Sequence, residues 1–189
     1  MTCIVGIAKN GIVHIGGDSA AVGGGYFLDV RADQKVFRNG EFLMGFTTSF
    51  RMGQLLRYSF KPPAMTEGAD LYDYMVTHFV DAVRACLKTG GWASKKEENE
   101  IGGTFLVGCR GRLFTIYSDY QVGESVDGMS SVGCGSELAL GAMHALTLLE
   151  ESLTPEARIK IALEITEKKS AGVHGPFLIL SIPEPKPAI

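Results

Sequence analysis

Thr2 is the residue at which chemistry would begin. A small residue after Met1 leaves removal of the initiator unobstructed, and a chain that then starts at Thr2 carries a hydroxyl nucleophile and an α-amino group on one residue. The reference pKa of such an amine is about 7.7 to 8.0, so near neutral pH it can take the hydroxyl proton. Many chains begin Met-Thr by chance, and the weight therefore falls on two further residues. Asp18 follows Gly16-Gly17 at the end of an apolar run, and Lys35 opens another. An ammonium held beside Thr2 by a carboxylate would lower the pKa of both the hydroxyl and the amine. The plainer alternative is an Asp that caps a turn and a Lys that points to water.

Other reactive types are less well placed. Cys3 and Cys134 lack a histidine positioned by sequence to activate them, and a small buried hydrophobe is the commoner use of a free cysteine. Cys86 and Cys109 complete a set with no CxxC pair, and His14, His78, His144 and His174 are scattered without metal-ligand spacing. No metal or cofactor is expected. The run Gly23-Gly24-Gly25 lacks the Lys-Ser/Thr that would complete a phosphate loop and reads as a mobile loop on the substrate side.

The elements that must position these residues follow from period and punctuation. Thr2 to Ala8 and Ile12 to Gly17 form a hairpin across Asn10-Gly11, and Gln34 to Arg38 and Glu41 to Phe46 form another across Asn39-Gly40, with the glycine run between them. Asn-Gly tolerates the positive φ angles of a type I′ turn. A helix around Phe50 to Phe60 is closed by Pro62-Pro63. From Asp70, Leu71, Met75, Val76, Phe79, Val80, Val83 and Leu87 recur at helical spacing until Gly90-Gly91. Ala93 to Glu100 is polar and charged and reads as a solvated loop. Gly103 to Gly108 and Leu113 to Ser118 make a third hairpin around Arg110-Gly111, Ser131 to Gly133 a short strand, Glu137 to Glu150 a helix, and Thr154-Pro155 the start of another. Phe177 to Ile182 closes as a strand, leaving residues 183–189 as a proline-rich tail. Strands, two helices, strands, two helices and a strand are satisfied by an α+β fold of four layers, αββα, within a single domain over residues 1–182.

Composition narrows the function classes. The 189 residues carry a formal charge of −3, 46% hydrophobic and 21% charged residues, which describes a chain that builds a core. Nucleic acids and anionic membranes are not expected partners, because both require clustered Lys and Arg. The stretch Cys3 to Ala8 is too short and glycine-interrupted for a secretory signal, and no run approaches the ~18 apolar residues of a membrane span. A cytoplasmic location is the expectation. Glycine stands out at 24 residues, nearly twice the roughly 7% usual in proteins, so much of the backbone must turn tightly or approach something closely.

Taken in order, Thr2-Cys3-Ile4-Val5-Gly6-Ile7, Asn10-Gly11, Ile15-Gly16-Gly17-Asp18-Ser19, Lys35-Val36-Phe37, Met44-Gly45-Phe46 and Val132-Gly133-Cys134-Gly135 resemble the N-terminal-nucleophile (Ntn) hydrolases of the proteasome β-subunit and HslV type. The resemblance runs from Thr2 to about Ile182. It implies the Ntn-hydrolase fold, with Thr2 as the catalytic threonine, Asp18 as the acid and Lys35 as the pKa-lowering lysine. It places the oxyanion turn at Gly45 to Ser49, with Thr48 where the family usually has glycine, and aligns Cys134 with the family's assisting serine, leaving Ser136 as a stand-in. An acidic position of proteasomes falls near Ser170. The implied activity is threonine-type peptide hydrolysis by a homo-oligomeric ring, acting on peptides or unfolded proteins delivered by an ATP-dependent unfoldase. An Ntn amidase or acylase with a small amide substrate, and a non-catalytic ring or scaffold protein, remain open beside it.

Overall fold

A computed structural model describes residues 1–96, 99–149 and 152–184. Strands β1 (Cys3–Lys9) and β2 (Ile12–Gly17) pair antiparallel with Lys9 opposite Ile12, so Asn10-Gly11 is a two-residue turn with both φ angles positive. With β12 (Met129–Gly133) and β13 (Leu178–Pro183) they form a four-stranded antiparallel sheet in the order β12-β1-β2-β13. The second sheet has the order β11-β10-β9-β6-β5, from β5 (Val36–Asn39), β6 (Phe42–Phe46), β9 (Phe105–Cys109), β10 (Arg112–Ile116) and β11 (Val122–Glu124).

Alternation along each strand assigns the layers. In β1, Ile4 faces the other sheet, where it joins Ile15, Val36, Leu43, Leu106 and Leu113. Cys3, Val5 and Ile7 face outward, against α4 (Ser136–Leu149) and α5 (Pro155–Glu167) through Ala139, Met143, Ile159 and Leu163. In the second sheet Leu43 and Leu106 point inward, while Met44, Phe46, Phe105, Val107 and Phe114 point out, into a cluster with Met52, Leu56, Met75, Phe79 and Leu87. Those last residues belong to α1 (Phe50–Tyr58), a π-turn stretch (Met75–Phe79) preceded by the single turn α2 (Leu71–Tyr74), and α3 (Val80–Thr89). Three apolar layers between four structural layers give the αββα sandwich. Burial on both faces explains why the central strands read as continuous apolar runs.

Local details depart from the sequence reading. The glycine run is the turn of a further hairpin, β3 (Ala20–Gly23) with β4 (Phe27–Val30), and not a loop linking two hairpins. The hairpin stands away from the core, with Tyr26 90% exposed, so no buried alternation marks it. Residues Ser94–Lys96 and Asn99–Ile101 pair as β7 and β8, in place of the expected solvated loop; residues 97 and 98 between them lie outside the described residues. At the second hairpin Asn39 pairs with Phe42, which puts the turn at Gly40-Glu41. Asn39 instead uses its side-chain amide to cap the end of α1, donating to the carbonyls of Leu56 and Phe60 at 3.0 and 2.9 Å. Pro183 belongs to edge strand β13 and Glu184 donates its N–H to Gly11 O at 2.7 Å, so the tail begins later than expected; residues 185–189 lie outside the described residues. Residue 150, the expected end of α4, does so too.

Candidate active site

Antiparallel pairing of Ile4 with Gly17 sets Asp18 beside Cys3 at one end of the first sheet. There the Asp18 carboxylate accepts the N–H of Cys3 on Oδ1 and the N–H of Ala20 on Oδ2, both at 2.9 Å. Lys35 immediately precedes β5 and so arrives from the second sheet. Its ammonium donates to Thr2 Oγ1 at 2.8 Å, Asp18 Oδ1 at 2.9 Å and the Ala20 carbonyl at 2.6 Å. All three ammonium hydrogens therefore have acceptors. Thr2 is 6% exposed, and Asp18 and Lys35 are each 2% exposed. Burial lowers the Lys35 pKa from its ordinary value, opposed by the adjacent carboxylate of Asp18. The solvated-lysine alternative is excluded by this burial, and the three residues singled out from sequence form one cluster.

The Thr2 backbone is gripped from the other side. Strand β12 runs beside β1, with Cys3 opposite Gly133, and delivers Cys134 to the chain at residue 2. Thr2 N–H donates to Cys134 Sγ at 3.3 Å, while the Thr2 carbonyl accepts from the Cys134 thiol and from Gly135 N–H, each at 3.4 Å. Gly133 has φ +105°, and a Cβ there would fall 2.2 Å from Thr2 O. Only glycine fits that approach. The Thr2 hydroxyl donates to the Met1 carbonyl at 2.5 Å. Ser170 Oγ lies 3.8 Å from Cys134 Sγ.

The remaining expected residues divide. Thr48 lines the same cavity as Thr2 and holds φ +65°, an uncommon conformation for a β-branched residue. Its Oγ1 accepts the N–H of Thr104 at 3.1 Å and lies 3.2 Å from Thr47 Oγ1, contacts that tie the turn to the start of β9. Gly45 does not reach Thr2: it is buried in β6, where a Cβ would fall 2.6 Å from Ile4 Cγ2, and its role is close packing of the two sheets. Ser136 opens α4 and has no hydrogen bond to Thr2 among the described residues. Cys3 is fully buried, and burial pushes its thiol up to about 12, which suits a structural residue and not a nucleophile.

A cavity of about 470 Å³ opens beside Thr2. Its walls are Met1 and Thr2, Ala21, Val22, Gly23, Phe27 and Asp29 of the β3-β4 hairpin, Phe46 to Phe50 of the turn into α1, and Trp92 after α3. Sequence reading puts the glycine run on the substrate side, and Gly23 does line the cavity, but it misses the strands that flank the run and Trp92. The available signal is the pair of short runs flanking Gly23-Gly24-Gly25, the same pattern as the other hairpins. Among the described residues no group of three or more His, Cys, Asp or Glu could hold a metal ion, and no helix is long and apolar enough to cross a membrane.

No protein-family model and no curated protein matches the sequence. Solved structures do match. The chain is similar to Thiobacillus denitrificans BPH in complex with epoxomicin, at 20% identity and a TM-score of 0.78 over 98% of this chain and 100% of that one. It is similar to HslV from Trypanosoma brucei at 16% identity, with a TM-score of 0.68 over 96% and 99%. Anbu, the ancestral beta-subunit from Yersinia bercovieri, matches at 15% identity and a TM-score of 0.65 over 96% and 82%. At these identities the likeness is one of fold: the chain has the Ntn-hydrolase fold that its motifs resemble.

Proposed function

We propose that this chain is a threonine peptidase of the proteasome and HslV type, working from Thr2 after Met1 is removed. The observation that carries the reading is the buried Lys35 ammonium, 2.8 Å from Thr2 Oγ1 and anchored by Asp18. A cation at that distance favours the oxyanion of the hydroxyl as it gives up its proton. Loss of Met1 converts the Thr2 amide nitrogen, now 3.3 Å from Cys134 Sγ, into a free amine on the residue that carries the nucleophile.

In the reaction, the Thr2 amine, directly or through a water, takes the hydroxyl proton as Oγ1 attacks the substrate carbonyl. The tetrahedral oxyanion is held by the backbone N–H of Thr48, because the N–H groups of Thr47 and Ser49 already donate to the carbonyls of Thr104 and Thr47 at 3.1 and 2.6 Å; one such donor is worth about 3 to 4 kcal/mol. The carbon–nitrogen bond then breaks, the amine returns its proton to the leaving nitrogen, and an ester to Thr2 remains. Water attacks the ester, the same amine accepts and donates the proton, and Thr2 is regenerated. Cys134 positions the amine in this scheme. Copies of the domain assemble in a homo-oligomeric ring, with unfolded protein as the substrate and an ATP-dependent unfoldase as the supplier.

Three measurements test the reading. Intact mass of the expressed protein is expected to match a chain beginning at Thr2. Thr2→Ala is expected to abolish peptide hydrolysis with unchanged circular dichroism, and epoxomicin, held in the BPH structure, is expected to inhibit the unsubstituted protein. Quantitative retention of Met1, or full turnover by Thr2→Ala, refutes it; turnover of small acyl amides but not peptides reassigns the substrate.

A further inference from the structure

The cavity beside Thr2 carries a charge that the peptidase chemistry leaves unused. Asp29 is the only ionised side chain among its described lining residues. It lies on β4 opposite Ala21, two residues from Phe27, and both Asp29 and Phe27 face the cavity. The neighbouring charges are already matched. Arg31 donates to both oxygens of Asp33 at 2.6 Å, and Lys35 is held by Asp18 at 2.9 Å. Asp29 has no ion-pair partner among the described residues, so the hairpin wall of the cavity presents a free carboxylate, while the chain's amino terminus stands on the Thr2 side of the same cavity.

Apart from the hydroxyl residues Thr2, Thr47, Thr48 and Ser49 on the side of the nucleophile, the rest of the lining is apolar and aromatic. Phe46 and Phe50 meet edge to face with ring centres 5.7 Å apart, and Trp92 stands with its indole N–H buried and unpaired among the described residues. Phe50 already presents a face to one guanidinium, that of Arg31 at 3.9 Å. An aromatic slot with one carboxylate matches a side chain that has a long methylene stem and a cationic head: the stem packs on the rings while the head meets the acid. The volume of about 470 Å³ is ample for a lysine or arginine side chain.

We infer that this cavity selects peptides with lysine or arginine on the acyl side of the bond cleaved, and that Asp29 is the residue that reads the cation. The direction of the peptide rests on Thr2 being the nucleophile, as proposed above; the charge selectivity does not.

The test uses Thr2→Ala protein, which keeps the cavity without turnover, and the emission of Trp92, the single tryptophan of the chain. N-acetyl peptide amides that differ only in a final lysine, norleucine or glutamate are titrated. The lysine peptide is expected to bind about fivefold more tightly than norleucine, the factor for a partly exposed ion pair, and glutamate most weakly. Adding Asp29→Asn is expected to bring the lysine-to-norleucine ratio to about one, and Asp29→Lys to move the preference to glutamate. Equal affinities at the outset, a ratio untouched by Asp29→Asn, or no change in Trp92 emission at millimolar peptide overturns the inference. If the unsubstituted protein hydrolyses none of these peptides while the ratio and its dependence on Asp29 hold, the peptidase reading fails and the selectivity stands. If it hydrolyses them without lysine preference, the peptidase reading stands and the selectivity fails.

Discussion

Replacing Lys35 by Met removes the ammonium while keeping an unbranched stem. Asp18 would retain the N–H groups of Cys3 and Ala20 at 2.9 Å but lose the cation at 2.9 Å, in a site where it is 2% exposed. Removing one partner of a buried pair costs about 3 to 5 kcal/mol, because the other charge is stranded. The two retained donors put the expected loss near the low end, about 3 kcal/mol. That is a large share of a total stability of roughly 5 to 15 kcal/mol. Urea unfolding at fixed protein concentration is the assay; with a slope of about 2 to 3 kcal/mol per molar, the midpoint falls by about 1 to 1.5 M. Adding Asp18→Asn removes the stranded charge, so the double variant is expected to be less destabilised than the two single losses added together. Peptide hydrolysis by Lys35→Met is expected to fall at least about 100-fold, since Thr2 Oγ1 loses its cationic donor. A loss below about 0.5 kcal/mol, as for a surface substitution, or additive single effects would refute the buried-pair argument.

Two further outcomes follow from the same cluster. Gly133→Ala places a Cβ 2.2 Å from Thr2 O at φ +105°; strain of this kind costs about 2 to 3 kcal/mol, and calorimetry is expected to show a drop of roughly 5 to 10 °C in Tm. An unchanged Tm would mean that the two backbones separate freely. The burial of Lys35 gives the proposed activity an alkaline limit: its pKa is lowered from 10.5, the ammonium is lost as pH rises through that lowered value, and kcat/KM is expected to decline before pH 10.5. Between the lowered value and 10.5 the unfolded chain holds a proton that the native lysine has shed, so this residue alone makes stability rise with pH there. A kcat/KM profile flat to pH 10.5 would contradict the assigned role of Lys35.

Much of the fold is legible because both sheets are buried on both faces. Continuous apolar runs separated by Asn10-Gly11 or Arg110-Gly111 leave few other ways to pair, and Leu71 to Leu87 keep a helical period even across the π-turn stretch. The elements that escape lack an apolar alternation in the sequence. The β3-β4 hairpin lies outside the two central sheets with all of β4 exposed, and β7 and β8, also outside them, are written almost wholly in polar and charged residues. Asn39-Gly40 misleads for a different reason, since the Asn39 amide is taken by the carbonyls at the end of α1, a contact between residues 17 and 21 positions apart.

For the site, the amino-acid order alone determines the reactive types: a hydroxyl at residue 2, an acid one step past a glycine pair, and a lysine at the mouth of a strand. The first two are joined by a hairpin, so local pairing already implies their proximity. Tertiary structure decides everything that crosses between sheets or layers. Lys35 reaches Thr2 from the opposite sheet, Cys134 and Gly133 grip it after more than a hundred intervening residues, and Asp29 and Trp92 meet across a cavity that neither sequence neighbourhood announces. Spacing along a chain encodes turns and periods; it carries no distance between strands of different sheets, which is set by how their buried faces pack.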